Sequence, residues 1–361
     1  WLKPTAPSAR PRHVARAGAA LGRGCGTMLG AAGPRAGIGA CLAVWASLPC
    51  AGLAGWLSEE SLRGCSFRLV TIDDRGLAFG AHGVQANTYW AMTAVLNLAY
   101  AKHWGYGYSY IILNTSLMPH YHPTWGKVFY IAEQLRDLAG SSTCVWFLCL
   151  DSDAFVREYD LPLPAFLASL GRRFRIREDV GAIFTQEQDL DLGSGLTAYM
   201  RRYKPKVPWL NGGVYLVQAG PKGRQLFNTW EAAGRATSPF LKMNWPGEQA
   251  VITEMITPGT YPDARFELQD PNSNPINRTV AKVDMVEFNS PWGRFVVHLW
   301  GHHDYMRATV YWDALVRLRL NDPQAVARLF YQVKQHRAFA WSPSAAAVGR
   351  ARPPPPARAA A

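Results

Sequence analysis

Val145-Trp146-Phe147-Leu148-Cys149-Leu150-Asp151-Ser152-Asp153 runs six apolar residues straight into two carboxylates. A continuous apolar run of this length predicts a strand buried on both faces. Asp151 and Asp153 then fall at its carboxyl end, and in open α/β sheets ligands bind outside the carboxyl ends of the strands. Two carboxylates one residue apart at an apolar edge repel each other unless a hard cation lies between them and a ligand. Mg²⁺ takes oxygen ligands and is commonly held by one or two carboxylates plus substrate phosphates. Mn²⁺ favours similar oxygen-rich sites. The stretch reads as a metal–diphosphate site, with Ser152 in the donor-binding set. The plainer reading is a strand-to-turn junction in which Asp caps the next segment.

The flanking sequence builds a sheet around this strand. Phe67–Ile72 and Tyr108–Leu113 read as strands. Asn87–His103 reads as an amphipathic helix with Gly105 as its stop, and Pro123–Leu138 as a second helix with Pro in its first turn. Strand, helix, strand, helix, strand is a βαβαβ pattern, which predicts a mostly parallel sheet with helices on both faces. Further strands are expected at Val180–Thr185, Trp209–Val217 and Phe295–His298, with a polar loop over Asp189–Tyr203. Asn211-Gly212-Gly213 lets the backbone approach a ligand closely. Helices are expected at Lys222–Ala233, Glu248–Ile256, Tyr305–Leu320 and Pro323–His336. Residues 258–292 are rich in Pro and Asn and read as irregular.

Composition bounds the rest. The chain has 361 residues, 48% of them apolar, 14 Trp and a net charge of +12. Six Lys or Arg and no acidic residue precede Glu59, and four Arg with no acidic residue occur from Arg337 onward. The middle is therefore nearly neutral, which argues against nucleic-acid binding. Residues 1–35 read as a disordered basic leader and 342–361 as a disordered tail. Ala36–Ser58 holds no charge over 23 residues, long enough to span a bilayer. A signal-anchor, a cleaved signal peptide and a transit peptide all fit; the signal-anchor reading puts the N-terminus in the cytosol and a catalytic domain, 59–341, across the membrane. Of six Cys, only Cys65, Cys144 and Cys149 lie beyond residue 58, so no disulfide framework is expected and Cys144 and Cys149 are assigned to packing about the strand. Asn114-Thr115-Ser116 and Asn277-Arg278-Thr279 are sequons, usable only in a lumenal domain.

Six segments in order carry a resemblance: Tyr100-Ala101-Lys102-His103-Trp104-Gly105-Tyr106, Trp125-Gly126-Lys127-Val128, Leu150-Asp151-Ser152-Asp153-Ala154, Leu210-Asn211-Gly212-Gly213-Val214, Gly247-Glu248-Gln249-Ala250 and His298-Leu299-Trp300-Gly301. Over residues 65–320 the chain resembles the glycosyltransferase 34 family, the galactosyl-, mannosyl- and xylosyltransferases of the yeast Golgi and plant cell wall. The resemblance implies a Rossmann-like GT-A fold and a type II Golgi membrane protein. It implies Mn²⁺-dependent transfer of a hexose or pentose from a UDP- or GDP-sugar to a glycan or polysaccharide, with retention. It makes Asp151, Asp153 and His298 metal ligands and puts Lys127 on the diphosphate side. Asn211, Glu248 and Gln249 line donor sugar and acceptor, and Gly301 with His303 joins the donor site. Where the family usually has Cys after that glycine, this chain has His302, and either His303 or Arg307 fills the place of the basic residue beyond.

Each residue also has a plainer role. Lys127 fits a solvated helix face, His298 a buried core histidine, Glu248 and Gln249 a favourable first turn, and Asn211 a turn. His302, His303 and Asp304 fit helix-start caps. A haloacid dehalogenase-type phosphatase also carries Asp-x-Asp after a buried strand, but there Thr or Val usually follows where this chain has Phe155. A GT-A transferase of another family, inverting included, and a non-catalytic glycan-binding scaffold complete the alternatives.

Overall fold

A computed structural model describes residues 55–77, 88–187, 209–258, 275–300, 304–320, 323–332 and 335–337. In chain order the elements are β1 (Ser66–Asp73), α1 (Tyr89–Trp104), β2 (Gly107–Ile112), α2 (Trp125–Asp137), β3 (Val145–Leu150), β4 (Ala154–Val156), α3 (Leu163–Phe174), β5 (Ala182–Glu187) and β6 (Trp209–Gln218). There follow α4 (Pro221–Ala236), α5 (Pro239–Met243), α6 (Gly247–Ile256), β7 (Val280–Asp284), α7 (Met285–Phe288), β8 (Val296–His298), α8 (Asp304–Arg317), α9 (Pro323–Gln332) and β9 (Gln335–Arg337).

Seven strands form one sheet in the order β7-β5-β6-β3-β1-β2-β9. Every neighbouring pair is parallel except the two made by β6, which runs antiparallel to β3 and β5. This is the expected mixed α/β fold with a mostly parallel sheet and helices on both faces. The chain leaves β1 for β2 on one side and reaches β3 on the other. The carboxyl ends of β1 and β3 therefore flank a topological switch point, where such sheets open a crevice.

The strand read as buried on both faces is so. Trp146, Leu148 and Leu150 pack on one side with Ala94, Leu98 and Tyr100 of α1 and Phe166 and Leu167 of α3. Val145, Phe147 and Cys149 pack on the other with Phe129 and Ile131 of α2, Trp230 of α4 and Ile252 of α6. All six are at most 1% exposed. Side chains of the larger kinds contribute roughly 1.5–3 kcal/mol each when fully buried.

Several expectations are corrected. α1 is not amphipathic: every residue from Ala91 to Ala101 is buried. Its outer side carries Met92, Val95 and Leu96, which α8 and α9 cover through Tyr311, Leu315 and Val326. Gly105 ends it at φ 72°, a left-handed turn that glycine adopts without strain. Leu163–Phe174 is a helix the sequence reading passed over, although Pro164 lies in its first turn and Leu163, Phe166, Leu167 and Leu170 share its buried face. Within the stretch read as irregular, β7 pairs with β5 and α7 follows it. The expected helix from Pro323 to His336 stops at Gln332, and Gln335–Arg337 instead pairs with the free edge of β2. Long-range pairing supplies in both cases what local periodicity lacks.

The apolar span expected over 36–58 overlaps the folded domain. Leu57 is 1% exposed in the core, and its N–H donates to Ile176 O at 2.8 Å. Residues 36–54 of that span, the leader, the loop 189–203 and the tail from Ser342 lie outside the described residues. Among the described residues no helix is long and apolar enough to cross a membrane. Cys144 is also more than a packing residue. It forms a disulfide with Cys65 that ties the amino ends of β1 and β3, across a sequence separation of 79 residues. The sequence has only three cysteines beyond residue 58, and nothing in their spacing says which two meet. Among the described residues Cys149 is a free, buried thiol.

Candidate metal and diphosphate site

The site starts where β3 ends. Thr93 and Asn97 of α1 grip the turn that follows: Thr93 Oγ1 donates to Ser152 O at 2.6 Å and Asn97 Nδ2 to Ala154 O at 3.0 Å. Tyr311 of α8 donates its hydroxyl to Asp153 O at 2.7 Å. Beyond the turn, β4 pairs antiparallel with β8 and sets Ala154 opposite His298. That pairing delivers a histidine from far down the chain to the two aspartates. His298 Nε2 lies 3.0 Å from Asp153 Oδ1 and 3.8 Å from Asp151 Oδ2. One ligand atom from each of Asp151, Asp153 and His298 falls within 4.8 Å of the others.

The donor set fits a divalent cation, and the imidazole is prepared for one. Asn289 Nδ2 donates to Thr185 Oγ1 at 2.7 Å and to Val214 O at 3.3 Å. A peptide carbonyl only accepts, so the amide nitrogen faces Val214 and Asn289 Oδ1 faces His298 Nδ1, at 2.6 Å. Nδ1 therefore carries a proton toward Asn289, which leaves Nε2 as the ring nitrogen turned toward the carboxylates. A second partner that fixes the tautomer in this way is the usual support of a metal-bound histidine. Asn289 lies in the stretch read as irregular, and no local signal marks it.

Gly213 lets the parts converge. Thr185 pairs with Asn211 but Phe184 with Tyr215, so Gly212, Gly213 and Val214 bulge out of the β5 ladder. Asp151 N–H donates to Gly213 O at 2.8 Å. A Cβ on Gly213 would overlap the His298 ring and come within 2.9 Å of Asp151 Oδ2. On Gly212 it would meet only ordinary contacts, at 3.6 Å from Gln249 Oε1. Gly213→Ala is thus expected to weaken divalent-cation binding about 10–100-fold, the scale of losing a ligand's orientation. Gly212→Ala is expected to leave it unchanged. Metal titration by calorimetry compares the two, and equal affinities would defeat the argument.

Lys127 is buried, not solvated. Its Nζ donates to Asp151 Oδ1 at 2.6 Å and to Gly212 O at 2.9 Å, and stands 4.0 Å from Glu248 Oε1. Burial alone would lower its pKa, but the Asp151 and Glu248 carboxylates outweigh burial and raise it. Lys127 is therefore paired with Asp151 inside the fold. Burial raises Asp151, and Lys127 and His298 only partly offset it. Burial also acts on Asp153, but His298 and Arg307 overcome it and hold that carboxyl down at about 2. Arg307 Nη2 donates to Asp153 Oδ2 at 2.9 Å, while its guanidinium stacks 4.6 Å from the Tyr89 ring. Of the two basic candidates beyond β8, Arg307 is in the site; His303, His302 and Gly301 lie outside the described residues.

The residues expected to line sugar and acceptor lie beside this group. Gln249 Oε1 accepts from Gly212 N–H at 2.9 Å, and Asn211 Oδ1 from Gly213 N–H at 2.7 Å. Both side chains hold the glycine bulge. Glu248 is 2% exposed and accepts from Thr124 Oγ1 at 2.6 Å.

Sequence reasoning missed the second half of the crevice. Asp73 ends β1 and chelates Arg75, whose Nε and Nη2 reach Asp73 Oδ1 and Oδ2 at 2.8 and 2.6 Å. Arg75 also donates to Ser152 Oγ at 2.7 Å and stacks 4.4 Å from the Trp90 ring. It thus ties the ends of β1 and β3 across the switch point. A signal was there to find: Asp73-Asp74 follows a buried strand just as Asp151-Ser152-Asp153 does.

No family model matches the chain, and no curated protein matches it. Among solved structures, a glycosyltransferase involved in the glycosylation of the major capsid of PBCV-1 is similar to 68% of this chain and to 98% of its own, at 16% identity and a TM-score of 0.39.

Proposed function

We propose that the chain is a metal-dependent GT-A glycosyltransferase that moves a hexose or pentose from a UDP- or GDP-sugar to a glycan or polysaccharide, with retention. The observation that carries this is the convergence of Asp151, Asp153 and His298 at the carboxyl end of a central strand, beside the switch point. The resemblance to the glycosyltransferase 34 family adds the donor class, the Mn²⁺ preference (Mg²⁺ being the alternative) and the retaining outcome.

The metal, when bound, supplies Lewis-acid stabilisation of charge on the leaving nucleoside diphosphate. Asp151, Asp153 and His298 would hold it, and Asn289, by facing Nδ1, keeps His298 Nε2 turned toward the two carboxylates. Lys127 fixes Asp151 and places a buried positive charge behind the site. Arg307 fixes Asp153 and stands ready to meet diphosphate oxygens. Gln249 and Asn211 hold the Gly212-Gly213 backbone close to the donor sugar. Glu248, its carboxylate set by Thr124, faces the same bulge and orients sugar or acceptor.

We place the domain in the Golgi lumen as a type II membrane protein anchored within residues 36–58. The Cys65–Cys144 disulfide supports an oxidising compartment, and the near-neutral middle of the chain supports a partner other than nucleic acid.

Calorimetry of the full chain with UDP and with GDP, in Mn²⁺ and then in EDTA, tests the reading. Binding of one nucleotide that EDTA abolishes is expected, and it identifies the base. A folded chain that binds neither nucleotide turns the balance to the glycan-binding scaffold.

A further inference from the structure

The sequence offers two sequons, and the fold treats them differently. Asn114, Thr115 and Ser116 are all exposed, directly after β2. Leu113 on one side and Met118 on the other are buried, at 5% and 4% exposure, so the triplet is held out from the surface between two fixed points. Within it Asn114 Oδ1 accepts from Ser116 Oγ at 2.6 Å and from Ser116 N–H at 3.2 Å. These bonds occupy the amide oxygen with the very hydroxyl that defines a sequon. The amide nitrogen, Asn114 Nδ2, has no hydrogen-bond partner among the described residues. The other triplet ends in Thr279, which is 2% exposed and donates Oγ1 to Ile276 O at 2.7 Å. Its hydroxyl is spent inside the fold.

We propose that Asn114 is an N-glycosylation site, modified when the domain passes through the secretory lumen, and that Asn277 is not. The proposal rests on the lumenal placement given above. That placement has support independent of the transferase chemistry, because a disulfide joining β1 and β3 forms and persists in the oxidising compartments where N-glycans are attached. The donor is a lipid-linked oligosaccharide on a polyisoprenyl diphosphate. The bond from its first sugar C1 to the diphosphate oxygen breaks, and the lipid diphosphate leaves with the electron pair. A bond from C1 to Asn114 Nδ2 forms, and Nδ2 gives one proton to a base of the oligosaccharide-transferring enzyme. No redox partner is needed. Position 115 is Thr rather than Pro, as the acceptor triplet requires.

Asn114 stands at the carboxyl edge of the sheet with β1 between it and β3. A glycan there projects from an exposed turn and displaces no core side chain. The chain therefore folds with or without it, and substitutions at the turn leave the core intact.

The test is expression of the full chain in a eukaryotic cell, followed by treatment with a peptide N-glycosidase and peptide mass spectrometry. A glycosidase-sensitive shift is expected. Asn114→Gln and Ser116→Ala lose it, while Ser116→Thr and Asn277→Gln keep it, and all four variants melt like the parent. The same unreduced digest reads the Cys65–Cys144 link. An unmodified Asn114 peptide overturns the proposal. With the link present, the chain has met the lumen and the sequon is ignored; with the link absent, the lumenal placement itself has failed. A shift that Asn277→Gln removes and Asn114→Gln does not also overturns it.

Discussion

In the Asp153→Ala chain, Mn²⁺-dependent nucleotide binding is expected to disappear and sugar transfer to fall about 1,000-fold or more, the scale of several kcal/mol of Lewis-acid stabilisation. Three contacts fail together. His298 Nε2 loses the carboxylate 3.0 Å away, Arg307 loses its partner at 2.9 Å, and a bound metal would keep only Asp151 and His298. One carboxylate and one imidazole would hold a hard divalent cation more weakly than two carboxylates and one imidazole, because such cations favour charged oxygen ligands. The backbone of residue 153 is held independently, through its carbonyl by Tyr311 and Leu299, so the fold is expected to survive. Asp153→Asn, with the same shape and no charge, separates lost packing from lost charge. Calorimetry with Mn²⁺ alone reads the metal site without reference to any sugar. Unchanged Mn²⁺ affinity in both variants would remove Asp153 from the metal site.

The Cys144→Ser chain is expected to lose about 4–5 kcal/mol of stability, the chain-entropy value for opening a loop of this length. That corresponds to roughly 10 °C in melting temperature. The link spans 79 residues, so its loss frees β1, α1, β2 and α2 together in the unfolded chain. It joins the amino ends of β1 and β3, whereas the site lies at their carboxyl ends, so nucleotide binding at 25 °C is expected to remain. A reductant should lower the melting temperature of the parent by the same amount and leave the variant unmoved. Cys149 does not confuse the comparison: burial pushes its thiol up to about 12, which keeps it unreactive. A parent chain indifferent to reductant would show that the link contributes nothing.

How legible all this was depended on range. β3 could be read because six apolar residues in a row leave a strand no exposed face, and its flanks alternate with helical periods that leave few other folds. Asp151 and Asp153 could be read with it, since a residue after a buried strand must emerge at the sheet's edge. Asp73 carried the same signal on β1. α3 announced itself by Pro164 and an apolar stripe. β7 and β9 did not, because edge strands of three to five residues owe their conformation to the partner they pair with and not to their own side chains.

The sequence by itself determined the α/β class, the mostly parallel sheet, and the position of an acidic pair at its carboxyl edge, because strand burial and helical period are properties of short segments. Only the tertiary structure decided that His298 reaches Asp153 across 145 residues, that Asn289 sets its tautomer, and that Lys127 is spent on Asp151 inside the protein. It alone also chose Cys65 as the partner of Cys144. Those outcomes depend on which strands lie side by side, and that is settled by the packing of two whole core layers at once. No window of sequence contains that sum.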